Sequence, residues 1–581
     1  LSELDARISE PATMNEMASA VVPLPNLAFR TVTTMFLLYG MLFVFVVAFT
    51  EYAQLPPIFS IGITAVFLAI QYIFGPALLD WQISWFFKCD WVQPNQLPQH
   101  LQNFVQRVTK ENEMKFPSFG IIRDSTPNAF TYGRYPSDAR IVITQGLMDK
   151  LLPEELESVV AHEIGHAVHW DMALMTVAAL VPIILYQIYR AFIRILQKSG
   201  GGGKKGGKGG VLIIAVGAYL CYVVSRYIIL FLSRTREYHA DAFSAEATKS
   251  SNSLASALVK VAYGLASDNI SAENSRGEAL NSEVQNPQRE ATTGQILAPL
   301  GIFDPVSAKA LVTSTATVNG GDGLLNKDKI KDAMQWELWN PWAGWYELNS
   351  THPLVAYRLD FLGKMSFKFG QKPFINFDRK QPESFWDEFA VDFIFLFIPW
   401  LTAFLLGLTG YFFQSNGASG GAIGGFILGL GLGNIFQTLF SYGFEFLPCT
   451  VASLLKQVKV SSIRTVPARL KGKIIGKGIP GYVFCEDMTF QDETGYLFLD
   501  YKQPLAIFEW WFAIASNSYI GREVVVEGWY KRSPIPSFEV YTIKPPTSSG
   551  SFLEKSKSYF FRFLFNVLLV ISGALVVFGA L

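Results

Sequence analysis

Long apolar runs constrain this chain more than any other feature of its sequence. A run of about 20 apolar residues can cross the hydrocarbon core of a bilayer as a helix. The chain has seven such runs, at residues 31–50, 57–79, 172–196, 211–232, 389–413, 420–447 and 559–581. The sequence therefore predicts a multi-pass integral membrane protein built around a bundle of α-helices.

Arginines raise a question about the third and fourth runs. Arg190, Arg194 and Arg226 lie within or at the edge of runs 172–196 and 211–232. A charge inside a membrane is costly unless it faces protein, water or the interface. The sequence leaves open whether these two helices cross the bilayer fully.

Basic residues predict the orientation in the cell membrane. Arg30 precedes the first run and Lys88 follows the second, whereas the turn between them contains Glu51 and no Lys or Arg. Because short cytoplasmic loops are enriched in Lys and Arg, we expect the region after residue 79 in the cytoplasm. The Lys-rich loop 198–210 disagrees if the flanking runs cross fully. Residues 1–30 lack the apolar core of a secretory signal, so we expect the first run to remain as an anchor.

The charge balance bears on possible partners. The chain has 48 basic and 48 acidic residues and a formal net charge of zero. No global field attracts it to nucleic acid. The bilayer and polypeptides are the predicted partners.

Residues 449–558 have a residue pattern that differs from the rest of the chain. Segments rich in β-formers alternate with Gly, Pro and Asp breakers, at 469–475, 481–485, 496–501, 523–530 and 538–543. This pattern predicts a small β-barrel, for which an OB-like fold is a candidate. The segments contain no basic aromatic stripe, which favours a protein-contact or structural role over nucleic-acid binding.

A metal-binding pattern occurs on a predicted helix that starts near Pro153. His162 and His166 are one turn apart on the same face, close enough for two imidazoles to bind one Zn²⁺. Glu163, next to the first histidine, is suited to take a proton from a metal-activated water that attacks a peptide carbonyl. With only six histidines in the chain, this spacing is a strong signal.

A catalytic zinc needs a third protein ligand. His169 shares the histidine face but is a further turn away, and His239 has no supporting pattern. Glu237 is favoured because Glu237 and Asp241 are again one helical turn apart. One carboxylate can then bind metal while the other orients a ligand histidine.

Several separated motifs resemble the HtpX and CAAX-prenyl-protease group of membrane gluzincins, over about residues 117–362. They are Asn128-Ala129-Phe130, the segment 141–147, His162 to His166 followed by Asp171, Ser233-Arg234 with Glu237 and Asp241, and Thr351-His352-Pro353-Leu354 with Arg358. The order of spans and half-domains is more similar to HtpX than to the prenyl protease. The family pattern does not explain the extension after residue 388.

The resemblance implies a mainly α gluzincin metallopeptidase domain with a small edge sheet and one Zn²⁺. By that resemblance His352 would stabilise the oxyanion, and Asp171 and Arg358 would support the ligands. The residues implied to line the cleft and pair with an extended substrate are Asn128, Ala129, Phe130, Ile141, Val142, Ile143 and Thr144.

These features together predict the domain organisation. The predicted parts are an N-terminal segment 1–30, a transmembrane hairpin 31–79, a metallopeptidase domain 80–388 interrupted by a hydrophobic hairpin 172–232, a transmembrane hairpin 389–447, the β-domain 449–558 and a C-terminal transmembrane helix 559–581.

The leading hypothesis is a zinc metalloendopeptidase that cuts membrane or membrane-associated proteins on the cytoplasmic side, in membrane-protein quality control. One alternative is a processing protease for lipid-modified, prenylated peptide termini. Another is a membrane scaffold that recruits a protein partner through the β-domain. Capture of partners that depends on residues 449–558 would favour the scaffold.

Prenylated and plain versions of one peptide separate the first two hypotheses. A general endopeptidase is expected to cleave both with similar kcat/KM, because its cleft has no need of a prenyl group. Cleavage would be followed by mass spectrometry. A strong preference for the prenylated peptide would instead favour the processing protease.

Overall fold

The computed structural model describes residues 24, 26–53, 57–125, 127–198, 205–261, 327–377, 381–413, 418–477, 488–503, 520–533, 535–546 and 554–579. The chain divides into two compact units. The first unit combines the described residues of 24–261 with those of 347–376, and the second combines the described residues of 327–346 with those of 377–579. Residues 327–346 therefore fold with the C-terminal part of the chain, although the sequence predicted them within 80–388.

Most described residues are helical. The α-helices are α1 (Leu27–Ala53), α2 (Pro57–Phe86), α3 (Gln99–Glu111), α4 (Gln145–Lys150), α5 (Pro153–Val168), α6 (Asp171–Lys198), α7 (Lys205–Thr248), α8 (Lys327–Trp339), α9 (Pro341–Glu347), α10 (Val355–Ser366), α11 (Trp386–Phe413), α12 (Ala418–Ser441), α13 (Val451–Leu455) and α14 (Ser558–Gly579). Residues 251–261 are also helical.

The strands belong to two sheets, one in each unit. In chain order they are β1 (Asp90–Val92), β2 (Ser118–Ile122), β3 (Ala129–Tyr132), β4 (Arg140–Thr144), β5 (Leu447–Pro448), β6 (Val466–Lys477), β7 (Met488–Gln491), β8 (Tyr496–Asp500), β9 (Glu523–Ser533), β10 (Ile535–Lys544) and β11 (Glu554–Lys555).

Six described helices contain a segment long and apolar enough to cross a membrane. These segments are Leu27–Phe45, Asp171–Gln197, Gly209–Thr248, Trp386–Phe412, Gly420–Ser441 and Ser558–Phe578. They correspond to six of the seven predicted runs and support a multi-pass membrane protein. The other predicted run, 57–79, lies in α2, where most of its side chains are outside the described part.

Helix α7 joins an apolar run to a polar segment without a break. It is 44 residues long and contains both the run 211–232 and the carboxylates of Glu237 and Asp241. No Pro or Gly interrupts residues 218–248, so nothing in this stretch breaks the hydrogen-bonded ladder. The two carboxylates therefore lie on the direct continuation of a membrane-length helix.

Apolar side chains hold α1, α6 and α7 together in the first unit. Leu38 and Leu42 of α1 are buried against Val181 and Leu185 of α6, and Ile228 of α7 packs on the same cluster. This packing fixes α7 against two other apolar helices.

A four-stranded sheet of order β1-β2-β4-β3 lies in the first unit. Strand β4 pairs with β2 in parallel and with β3 in antiparallel orientation, so it is hydrogen-bonded on both sides. Strand β3 ends the described sheet and packs against α5. Of these two strands, only β3 is an edge strand.

Glycines allow close helix packing in the second unit, where they recur every fourth residue of α12, at positions 421, 425, 429 and 433. A Cβ on Gly429 would lie 2.2 Å from the carbonyl oxygen of Thr402 in α11. The Thr402 hydroxyl donates a hydrogen bond to the Gly429 carbonyl oxygen at 2.7 Å. Small residues therefore let the two backbones touch.

The predicted small β-barrel is confirmed. Strands β6, β7, β8, β10 and β9 pair in that order, and β9 pairs back with β6 to close the barrel. The β8–β10 pair is parallel and the other four pairs are antiparallel. Five strands is also the number in an OB fold.

Helix α8 is anchored within the second unit by a buried tryptophan. The Trp336 indole nitrogen donates to the carbonyl oxygen of Val460 at 2.8 Å, and the side chain is fully buried. The Arg532 guanidinium of β9 lies 4.9 Å from the Trp336 ring and donates to the carbonyl oxygen of Ala333 at 2.7 Å. These contacts tie α8 to the barrel side of this unit.

Replacing Trp336 with alanine is expected to destabilise the second unit by about 3–5 kcal/mol, because truncation leaves a cavity in a packed site. The measurement is thermal unfolding of the detergent-purified protein. Trp386, which is 66% exposed, provides the matched Trp386→Ala control. Equal shifts in melting temperature for the two variants would contradict this packing role.

Candidate metal centre

Helix α5 starts where the sequence predicts. Pro153 occupies the first turn, and the Leu152 amide donates to the Glu155 carboxylate at 2.8 Å. Glu154 and Glu155 add negative charge at the helix N-terminus, which stabilises it. The helix continues to Val168 and therefore contains His162, Glu163 and His166 in regular geometry.

Gly165 brings α5 and α7 into close contact. A Cβ at Gly165 would lie 3.2 Å from both the Ala240 Cα and the Phe243 Cβ of α7. That separation is tighter than ordinary van der Waals contact, so a side chain here would push the helices apart. The small residue between the two histidines lets Glu237 reach them.

Three side chains place ligand atoms close together, and of these His162 and Glu237 are buried while His166 is partly exposed. The Nε2 atoms of His162 and His166 are 3.2 Å apart. Glu237 places Oε2 3.6 Å from Nε2 of His162 and Oε1 3.5 Å from Nε2 of His166. Zinc bonds of about 2.0–2.1 Å in a tetrahedral site separate ligand atoms by about 3.3–3.4 Å. The donor set and its spacing therefore fit a zinc ion.

The two alternative ligands lie outside this group. Among the described residues, one group of three or more side chains could hold a metal ion, and it consists of His162, His166 and Glu237. His169 and His239 instead face each other, with ring centroids 5.9 Å apart. Of the three candidates for a third ligand, Glu237 is the one brought to the histidine pair.

A carboxylate faces the second ring nitrogen of each histidine. His162 Nδ1 is 3.0 Å from Asp241, and His166 Nδ1 is 2.7 Å from Asp171. Arg358 binds Asp241 with two hydrogen bonds, at 2.6 and 3.0 Å. Such contacts set the tautomer and ring orientation of a ligand histidine. The structure thus assembles all three residues that were expected to support the ligands.

The carboxylates favour protonated histidines when no metal is bound. Burial by itself lowers the pKa of His162, but hydrogen bonding to Asp241 and Glu237 outweighs burial and raises this pKa to about 9. Burial also lowers the pKa of His166. The hydrogen bond to Asp171 and the charge of Glu237 outweigh burial, so this pKa is raised as well. The site therefore stabilises positive charge, as a site for a divalent cation must.

Two arginines of α7 have roles that the sequence reasoning missed. Arg236 forms an ion pair with Asp171, and Arg234 donates to the carbonyl oxygens of Glu347 and Ser350 at 2.7 and 3.0 Å. Of the two, only Arg234 was part of the sequence motif that contains Glu237 and Asp241. Which partner each arginine binds depends on packing between distant segments.

The structure places His352 beside the proposed ligands. Its Nδ1 lies 3.1 Å from Glu237 Oε2, and its carbonyl oxygen accepts a hydrogen bond from the Ser350 hydroxyl at 2.8 Å. Arg234 holds the same loop through Ser350. Glu163 is buried, with 3% of its surface exposed, and follows His162 on α5.

The expected substrate-contacting residues separate into two groups. Ile141, Val142 and Ile143 are fully buried in β4, which is paired on both sides, and Thr144 caps α4 through its hydroxyl. The expectation that 141–144 pairs with a substrate is therefore wrong, because β4 has no open edge. Asn128 leads into Ala129 and Phe130 of β3, which is the last strand of the described sheet.

Comparison with known proteins gives consistent matches. The model of peptidase family M48 matches residues 95–366. The chain is 36% identical to "Protease HtpX homolog 2" of Methanosarcina acetivorans over 232 residues, which cover 40% of this chain and 76% of that protein. It is 33% identical to "Protease HtpX homolog" of Moorella thermoacetica over 241 residues, 42% of this chain and 79% of that protein.

The chain was also matched to solved structures. The crystal structure of S. mikatae Ste24p aligns with 40% of this chain and 58% of its own, at 20% identity and a TM-score of 0.26. A score this low does not indicate a shared overall fold.

Six membrane-length helices, together with two histidines and a glutamate whose ligand atoms lie at metal-binding distances, define the class of membrane metalloproteases. The chain belongs to peptidase family M48, together with the HtpX proteases that it matches. The matched region ends at residue 366, so the barrel and the helices α11, α12 and α14 lie beyond it.

Elemental analysis of the detergent-purified protein is expected to find close to one zinc per chain. Glu237→Ala should lose most of it during dialysis, because two histidines alone bind zinc weakly. Glu246→Ala is the matched control, since Glu246 lies on the same helix and its side chain is 55% exposed. Unchanged zinc in Glu237→Ala would move the third ligand to His169 or His239.

Proposed function

We propose that this metalloprotease is a zinc-dependent endopeptidase that hydrolyses peptide bonds in membrane or membrane-associated proteins, with a role in membrane-protein quality control. The observation that carries the proposal is the set of ligand atoms of His162, His166 and Glu237 at 3.2 to 3.6 Å from one another. Substrates in or near the bilayer suit a site that lies on the continuation of an apolar helix.

The protein side chains have distinct roles in this proposal. His162, His166 and Glu237 would hold a zinc ion, which would supply Lewis acidity to activate a water and polarise the scissile carbonyl. Glu163 accepts the proton of the attacking water and returns it to the leaving amine. His352 donates a hydrogen bond to the oxyanion, for which its position beside Glu237 is suitable.

Strand β3 supports an extended mode of substrate binding. It is the edge strand nearest α5, the helix with both histidines. A substrate strand added at this edge would be held by main-chain hydrogen bonds that do not depend on its sequence. Asn128, Ala129 and Phe130 remain the proposed contacts, and broad sequence tolerance follows from this mode.

The basic residues support a cytoplasmic active site. Arg30 lies at the start of α1 and Lys88 follows α2, and both are expected on the cytoplasmic side. A protein partner for the barrel remains a prediction from the sequence.

Glu163→Gln is expected to lower kcat by about 10²–10⁴-fold, because the amide cannot accept the proton that general base catalysis requires. Zinc content should stay at the wild-type level. The measurement is cleavage of an unfolded membrane-protein substrate, with metal analysis of the same sample. Glu154→Gln, an exposed change on the same helix, should retain full activity.

Two results would contradict the proposal, one from this variant and one from a separate experiment on membrane vesicles. Full activity in Glu163→Gln would exclude the assigned base. Membrane vesicles test the orientation, since inside-out vesicles present the cytoplasmic surface to added substrate. Cleavage by right-side-out vesicles alone would place the site on the opposite side.

A further inference from the structure

Arg236 is a buried cation whose position calls for an explanation. It directly precedes Glu237 on α7, and only 2% of its surface is exposed. A buried charge is strongly destabilising unless it is paired and hydrogen-bonded. Its partners therefore indicate what this arginine does.

The partners of Arg236 lead to the metal centre. The guanidinium forms an ion pair with Asp171 and donates to the carbonyl oxygen of His169 at 3.1 Å. The other carboxylate oxygen of Asp171 lies 2.7 Å from Nδ1 of His166. Asp171 is thus held on one side by Arg236 and contacts a proposed zinc ligand on the other.

The same arrangement occurs at the second histidine. Arg358 holds Asp241 with two hydrogen bonds, and Asp241 lies 3.0 Å from Nδ1 of His162. Each proposed ligand histidine therefore has its own carboxylate, and each carboxylate has its own buried arginine. The same histidine–carboxylate–arginine arrangement thus occurs twice, with the two arginines on different helices. This repetition argues against an incidental role for the ion pair between Arg236 and Asp171.

Arg236 is also held by the first apolar helix. Its Nη1 donates to the Thr31 hydroxyl of α1 at 3.3 Å, while Arg30 of α1 donates to the Thr235 hydroxyl of α7 at 3.0 Å. Adjacent residues on the two helices thus exchange hydrogen bonds. This contact gives the guanidinium a partner on α1 in addition to Asp171.

We propose that Arg236 is a positioning residue of the metal centre, which fixes the Asp171 carboxylate so that His166 presents Nε2 to the metal. Thr31 gives α1 a part in the same arrangement. The inference rests on the proposed zinc site. Through Thr31, the apolar helix α1 would then contribute to the metal affinity of the site.

The test is a set of variants measured by competition with a chromogenic zinc chelator and by peptide cleavage. Arg236→Met is expected to weaken zinc binding by about 10–100-fold, the usual effect of losing a residue that orients a ligand. Arg236→Lys should recover part of the affinity, because its ammonium can pair with Asp171 but cannot make every contact. Thr31→Val should show a smaller loss in the same direction.

A double variant separates positioning from a general structural role. If Arg236 acts through Asp171, then Arg236→Met combined with Asp171→Asn should weaken zinc binding no more than the worse single change. Arg358→Met is the positive control, and Arg107→Met, whose side chain is 48% exposed, is the negative control.

The outcomes are distinguishable. Wild-type zinc affinity in both Arg236→Met and Arg236→Lys, or additive losses in the double variant, would overturn the inference while leaving the proposed function intact. A wild-type protein that binds no zinc would overturn the proposed function itself. If Arg236→Met fails to fold, Arg236→Lys and Thr31→Val still decide the question.

Discussion

The close crossing of α5 and α7 at Gly165 is the contact on which the site depends. The two histidines lie on one helix and Glu237 on the other, and their ligand atoms meet because no side chain at Gly165 separates the backbones. A shift of the helices by the width of a methyl group would move Glu237 out of reach. Metal-binding geometry is therefore a consequence of backbone packing as much as of ligand chemistry.

Concentrating charge in a buried site imposes a second constraint. Glu237, Asp241 and Asp171 are nearly inaccessible, and carboxylates without partners would be costly there. Arg358 and Arg236 compensate two of them, and the third, Glu237, faces His162, His166 and His352. The paired arginines let the protein keep a preorganised anionic site next to apolar helices, where water cannot stabilise it.

Helix α7 contains both an apolar segment of membrane length and polar residues of the candidate metal centre. Its apolar part packs on α1 and α6, and its polar continuation carries Glu237, Asp241 and both arginines. The second unit is organised differently, with glycine-mediated packing of α11 and α12 and a closed barrel to which α8 is bonded. Part of the family-matched region thus folds with an extension that the family match does not cover.

The sequence alone determined the features that depend on local periodicity. The apolar runs, the spacing of His162 and His166 on one helix face and the strands of the barrel follow from helical and strand geometry over short stretches. Tertiary structure decided that β3 and not β4 is the edge strand, that α8 belongs to the second unit, and that Arg236 supports Asp171. Each of these depends on contacts between segments far apart in the chain, and no local pattern encodes which distant partner a side chain will meet.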